Sequence, residues 1–140
     1  MEIRKLDKKD YKEFIELINE FRPIGLDVTQ EKFNEIYDII FSNSIIYVLT
    51  LKNKIVGSAK LIIEQKFIHK LAKYGFVEDV IISNNYRGQG FGKLLIKYIV
   101  DYCKNNKFYK ITLTCNESLI SFYQKNNFEV YDIHMSQLLS

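Results

Sequence analysis

Gly88, Gly90 and Gly92 place three glycines within five residues, in the run Arg87-Gly88-Gln89-Gly90-Phe91-Gly92-Lys93. Glycines at that density let a backbone come close to a ligand. The run stands between an aliphatic stretch and a long amphipathic one. Amides that open a helix have no partner inside it and lie at the positive end of its dipole, so such a loop suits an anion. Arg87 and Lys93 add charge. The common phosphate patterns do not fit. A Walker loop needs glycine at position 87 and Ser or Thr after the lysine, where Leu94 stands. The dinucleotide fingerprint sets its last glycine one residue farther on. What remains is Arg-x-x-Gly-x-Gly after a strand.

The elements that must hold this loop can be read from periodicity. Ile3–Lys5 reads as a short strand. Asp7 to Asp10 supply caps, and Phe14, Leu17, Ile18 and Phe21 then recur at helical spacing until Pro23 and Gly25. Thr29 opens a second helix with Phe33, Ile36, Tyr37 and Ile40 on one face. Ser44–Leu51 and Ile55–Glu64 read as strands joined by a hairpin turn at Lys52-Asn53-Lys54, and Tyr74–Ser83 as another. Gly90–Asn105 is an amphipathic helix with Leu94, Leu95, Tyr98, Ile99 and Tyr102 on its apolar side. Phe108–Cys115 reads as a strand, Ser118–Asn126 as a short helix and Glu129–Leu138 as a last strand. The pattern predicts one α/β domain over 1–140, with a mixed sheet and helices on both faces.

Composition narrows the classes. The chain has 140 residues, 47% hydrophobic and 26% charged, and 20 aromatics, the balance of a packed domain and not of a disordered one. No apolar run approaches the ~20 residues of a membrane span, and no apolar stretch follows the first residues as a signal peptide requires. A net charge of +3 allows an anionic small ligand without demanding nucleic acid. Cys103 and Cys115 lack CxxC spacing and read as reduced structural thiols of a cytoplasmic protein. Two histidines, with no carboxylates at matching spacing, give no metal site.

The loop resembles the acyl-CoA pyrophosphate loop of the GNAT acetyltransferase superfamily. Asn116-Glu117-Ser118, then Leu119-Ile120-Ser121-Phe122-Tyr123 and Lys125-Asn126-Asn127-Phe128, is similar to the second part of that pattern, with Asn127 for the usual glycine. Ten tyrosines occur, and one on an amphipathic helix is ordinarily core packing; the position of Tyr123 relative to the loop singles it out. Glu64-Gln65-Lys66-Phe67-Ile68-His69 and Val77-Glu78-Asp79-Val80, with Tyr109 to Cys115, resemble glucosamine-6-phosphate N-acetyltransferases from Ile3 to Met135.

That resemblance implies a GNAT fold of about six or seven strands with a bulged, splayed strand pair. It implies acetyl-CoA as cosubstrate, no metal, and direct acetyl transfer to the amine of glucosamine 6-phosphate. Cosubstrate contacts fall to Val80, Ile81, Ile82, Arg87, Gly88, Gln89, Gly90, Phe91, Gly92, Lys93, Asn116, Tyr123 and Lys125. Lys66, Phe67, Ile68, His69, Glu78, Asp79, Tyr109, Lys110 and Thr114 fall to the sugar phosphate. The resemblance gives the chemistry to Glu78, Asp79 and Tyr123, Tyr123 by hydrogen-bonding or protonating the departing thiolate. Adjacent carboxylates on a strand point to opposite faces unless a bulge intervenes. A homodimer with an exchanged last strand is also implied. Two positions depart: Leu138 stands where the family has a phosphate-binding Arg, and Thr114 where some members have a carboxylate. Arg22, in the loop after the first helix, is the candidate replacement cation. The rival readings are a GNAT enzyme for another amine, such as a protein N-terminus or a polyamine, and a non-enzymatic domain binding CoA or nucleic acid.

Overall fold

The computed structural model describes residues 1–140. One sheet of five strands runs in the order β1 (Glu2–Lys5), β2 (Ser44–Leu51), β3 (Lys54–Gln65), β4 (Lys73–Ile82), β5 (Lys110–Leu113). The first three pairings are antiparallel and the last is parallel. α1 (Tyr11–Phe21) and α2 (Gln30–Ile40) cover one face, and α4 (Phe91–Asn105) and α5 (Ile120–Gln124) the other. β2 therefore has core on both sides. Ile46 and Val48 pack toward α1 and α2, whereas Ile45, Tyr47 and Leu49 pack toward α4, which is why this strand is apolar almost throughout.

Local signals behave as the residue types demand. The Thr29 hydroxyl accepts from the Lys32 amide at 3.1 Å and caps α2. Lys52 and Asn53 both take positive φ, as a two-residue primed hairpin turn requires. Asn127 takes φ 68°, a left-handed conformation that Asn tolerates in the place of a glycine. Gly57 is needed for close approach: a Cβ there would lie 2.8 Å from Cδ1 of Ile82 and 3.2 Å from the Ile81 carbonyl oxygen.

Three features differ from the sequence reading. The sheet has five strands, not six or seven. Glu129–Leu138 forms no strand, and Val130, Tyr131, Ile133, Met135 and Leu138 are exposed. A strand exists through its ladder; an apolar pattern expresses the preference but does not supply the neighbour, and within one chain this segment has none. Phe108–Cys115 shortens to Lys110–Leu113, so Cys115 lies outside the strand and is exposed, unlike the structural thiol expected. Cys103 is buried in the α4-side core, and burial pushes its thiol up to about 12. No helix is long and apolar enough to cross a membrane.

β4 and β5 pair only from Tyr74↔Lys110 to Val77↔Leu113. β4 then continues to Ile82 with β3 alone beside it. Between Lys60↔Glu78 and Ser58↔Ile81 the register shifts, so that Asp79 and Val80 of β4 face the single residue Ala59. Asp79 has φ 52° there, a left-handed conformation that Asp tolerates better than most residues.

At the sheet's far edge, Arg4 binds Asp10 with two hydrogen bonds of 2.7 and 3.0 Å, tying β1 to the start of α1. Burial alone would push the Asp10 carboxyl up, but hydrogen bonds from Arg4 and the Asp7 amide outweigh it and hold the carboxyl below its usual range. The ion pair therefore stabilises the fold above the ordinary carboxylate pKa of about 3.9 and loses that effect as pH falls through the lower folded-state value. Asp10→Asn is expected to lower the melting temperature at pH 7 by roughly 4 °C, a gap that narrows as melts are repeated from pH 5 toward pH 2.

Candidate active site

The glycine loop leaves the end of β4 through the turn Asn84–Tyr86 and enters α4 at Phe91. Gly88 and Gly90 have φ of 75° and 86°, and a Cβ at either would meet nothing within 4 Å. The loop is therefore held in a conformation that favours glycine, over open space. The first amide with a helical acceptor is that of Leu94, which donates to Gly90. Those of Gly88 through Lys93 have none, so a row of donors points out of the protein at the helix's positive end. The Arg87 guanidinium donates to the Ile82 carbonyl at 3.1 Å and fixes the loop to β4. From the other side, the Glu20 carboxylate of α1 accepts from the Ser83 hydroxyl and the Asn84 amide. That clamp was not visible in the sequence, because Glu20 and Asn84 are 64 residues apart.

Gly92 lies in the first turn of α4. A Cβ added there would sit 3.6 Å from the Phe122 ring and 3.9 Å from Ile82. So α5, the opening of α4 and the end of β4 converge, and Tyr123 follows directly from Phe122. Tyr123 is buried among the α4-side core residues. Its phenol is pushed up by burial first and by Cys115 second, which favours its protonated form.

The main chain of β4 runs past the same convergence. The Ser83 amide donates to the Val56 carbonyl on the β3 side, so alternation turns the backbone groups of Val80 and Ile82 toward the side that β5 has left. The side chains of Val80 and Ile82 pack toward α4, and Ile81 toward α1 and α2.

The bulge solves the problem of two adjacent carboxylates. Glu78 and Asp79 both come within 4 Å of one cation, the Lys60 ammonium on β3, at 3.7 and 3.6 Å. They therefore share a face. Lys60 escaped the sequence reading, because only the pairing register reveals what stands opposite Glu78. Lys60 and Asp79, with Lys32 and Ser58, also line a cavity of about 440 Å³ between the sheet and α1 and α2, walled mostly by apolar residues such as Phe14, Ile18, Phe33 and Ile36.

A second polar cluster forms at the start of β4. His69 stacks on Tyr109 at 3.9 Å, and Tyr109 on Tyr74 at 5.6 Å. Lys66 and Lys110 lie over the Tyr74 ring, at 5.1 and 5.0 Å. His69, Lys70 and Leu71, within the turn α3 (Ile68–Leu71), all take positive φ, a left-handed turn that places the imidazole against Tyr109. Ile68 and Phe67 are exposed beside it. Tyr74 and Glu78 are four strand residues apart, about 13 Å, so the two clusters are neighbours along one strand.

Not every candidate joins these groups. Arg22 is exposed and lies over its neighbour Phe21, without an ion pair. Thr114, Lys125 and Gln89 are exposed and make no side-chain hydrogen bond or ion pair. Asn116 contributes its carbonyl to the turn before α5 and not a side-chain cap.

The pattern of the Acetyltransferase (GNAT) family matches residues 11–128. The chain belongs to the GNAT acetyltransferase family. A relative from Arabidopsis thaliana, a glucosamine 6-phosphate N-acetyltransferase, is 32% identical, the match covering 96% of this chain and 94% of that one. One from Dictyostelium discoideum with the same activity in its name is 33% identical over 91% and 82% of the two chains. The crystal structure of the Arabidopsis glucosamine-6-phosphate N-acetyltransferase superposes with a TM-score of 0.91, covering 99% of this chain and 98% of that one at 32% identity. A Trypanosoma brucei acetyltransferase structure gives 0.93 at 28% identity, with 99% of each chain covered. GNAT enzymes as a family use acetyl-CoA, and the open row of amides from Gly88 to Lys93 has the donors and the space that a diphosphate needs.

Proposed function

We propose that this GNAT enzyme transfers the acetyl group of acetyl-CoA to the 2-amine of glucosamine 6-phosphate. The observation that carries the reading is the bulge at Asp79–Val80. It brings two carboxylates together beside Lys60 and leaves the main chain of Val80 without a partner on β3. The names of the relatives support the choice of amino sugar.

Gly88 to Lys93, with Arg87, hold the diphosphate through main-chain donors and charge. Val80, Ile81 and Ile82 form the strand edge along which the amide-bearing arm pairs; Asn116 and Lys125 close its far side. Acetyl-CoA, when bound, supplies a thioester carbonyl open to attack. The Val80 amide donates to that oxygen as negative charge gathers on it. Glu78 and Asp79 bind the sugar's amine, and its proton leaves to one of them or to solvent as the new C–N bond forms. Tyr123 gives its phenolic proton to the thiolate as the C–S bond breaks and recovers one from water. Lys66, His69, Tyr109 and Lys110 hold the phosphate, with Phe67, Ile68 and Thr114 bordering it. The reaction belongs in the cytoplasm, where free thiols such as Cys103 stay reduced.

The exposed apolar residues of 129–140 and the unpaired outer edge of β5 support a homodimer in which each tail pairs with its partner's sheet. The full chain is expected to sediment as a dimer; removal of residues 129–140 should leave a monomer with transfer largely lost. A full-length monomer that turns over would overturn the exchange.

Thiol release from acetyl-CoA tests the reaction directly. Glucosamine 6-phosphate should support it, whereas unphosphorylated glucosamine, spermidine and a peptide N-terminus should give at most a small fraction of the rate. Equal rates on spermidine would favour the other-amine reading. Tyr123→Phe keeps the ring in the core and removes the proton. It should lower kcat about a hundredfold with little change in KM for acetyl-CoA, and an unchanged kcat would remove Tyr123 from the mechanism.

A further inference from the structure

Lys60 is the cation in contact with both Glu78 and Asp79, and the reading above leaves it without a task. It stands in the middle of β3, opposite Glu78 across one ladder and Ile46 across the other. Its side chain is largely covered, at 21% exposure, and its ammonium lies between the two carboxylates that face the acceptor. Distances of 3.7 and 3.6 Å are ion-pair contacts but too long for hydrogen bonds. The donors on Nζ therefore remain open while its charge is committed.

We propose that Lys60 is a positioning residue that keeps the acceptor amine in its reactive, neutral form. The inference rests on the reading of Glu78 and Asp79 as the amine-binding pair. An amine held by two bare carboxylates has its ammonium form stabilised, since opposite charges at a few ångströms favour the charged state. An ammonium has no lone pair and does not attack a thioester. A fixed cation on the same face acts in the opposite sense. It leaves the cluster with one net negative charge and lowers the affinity of the bound amine for its proton. The carboxylates can then orient the amine without trapping it as the cation.

The other elements around Lys60 do not supply this charge. α1 presents Phe14, Ile15 and Ile18 to the cavity. Its Glu13 carboxylate is engaged by the Ile55 amide, and that of Glu20 by Ser83 and Asn84. α2 presents Lys32 and Tyr37; Lys32 pairs with Glu35 at 2.9 Å, and the Tyr37 hydroxyl donates to the Leu6 carbonyl. β2 presents Ile46. From β4 come Glu78 and Asp79 themselves. Lys60 is thus the only cation in ion-pair contact with the carboxylates.

The test is the pH profile of acetyl transfer to saturating glucosamine 6-phosphate, read in single turnovers so that the transfer step itself is seen. In Lys60→Met the acid limb of the rate is expected to move up by about one pH unit, so that the rate on the limb falls about tenfold while the high-pH plateau persists. KM for the sugar phosphate should stay level or fall, because the bare carboxylates hold an ammonium more tightly. Lys60→Arg keeps the charge and should keep the limb where it is. Lys60→Gln, which retains a polar tip, serves as the deciding variant if Lys60→Met does not fold, as judged by its melting transition. An active Lys60→Met or Lys60→Gln enzyme whose limb has not moved overturns the role of Lys60 alone. An unmodified enzyme that leaves glucosamine 6-phosphate untouched overturns the reading of function, and this role with it.

Discussion

The parting of β4 from β5 after Val77 is the constraint on which the site depends. A parallel pair must satisfy its main-chain groups, and it does so for four residues. Beyond them β4 keeps only its antiparallel neighbour, and the edge at Val80 and Ile82 has no strand beside it. Backbone groups left unpaired inside a domain are costly, so an edge of this kind is sustained where water or a ligand reaches it. The glycine loop stands at the end of the same strand, its amides also without acceptors. The main-chain groups of Val80 and Ile82 and the amides of the glycine loop are thus both left without partners inside the domain.

The bulge in β4 changes which residues share a face. Without it, Glu78 and Asp79 would stand on opposite sides of the sheet, one in the α1–α2 core and the other against α4. The extra residue, taken up by Asp79 in a left-handed conformation, keeps both carboxylates beside Lys60 and restores the alternation for Ile81 and Ile82. Gly57 allows this: it admits the Ile82 side chain and the Ile81 carbonyl at distances no larger residue permits. Local backbone strain is thus concentrated beside the two carboxylates, and a small residue on the neighbouring strand absorbs its steric consequence.

The helices act on the site through few contacts. α4 contributes its first turn and is held by Leu95, Ile96, Ile99 and Cys103 against the sheet. α5 is only five residues long and takes its place through Phe122 against Gly92 and Tyr123 in the core. α1 reaches over the far end of β4 with Glu20. Loop and tyrosine are therefore referenced to the same rigid sheet, although they are about thirty residues apart in the chain.

Much of this molecule was legible from residues alone. The hydrophobic periods located both helical faces and the central strands, because burial on one side of a helix, or on both sides of a strand, leaves an unambiguous pattern. Gly88 and Gly90 marked the turn into α4, where the backbone takes φ of 75° and 86°, values that favour glycine. The tertiary structure decided the rest. That Lys60 stands against Glu78 and Asp79 follows from strand register, a relation between segments that no local pattern encodes. The stacking of His69 on Tyr109 needed the left-handed turn at His69–Leu71 and the parallel alignment of β5, again a meeting of distant segments. The tail shows the same limit from the other side. Its alternating apolar residues have the composition of a strand, but a ladder is a property of two segments, and the chain offers this one no partner.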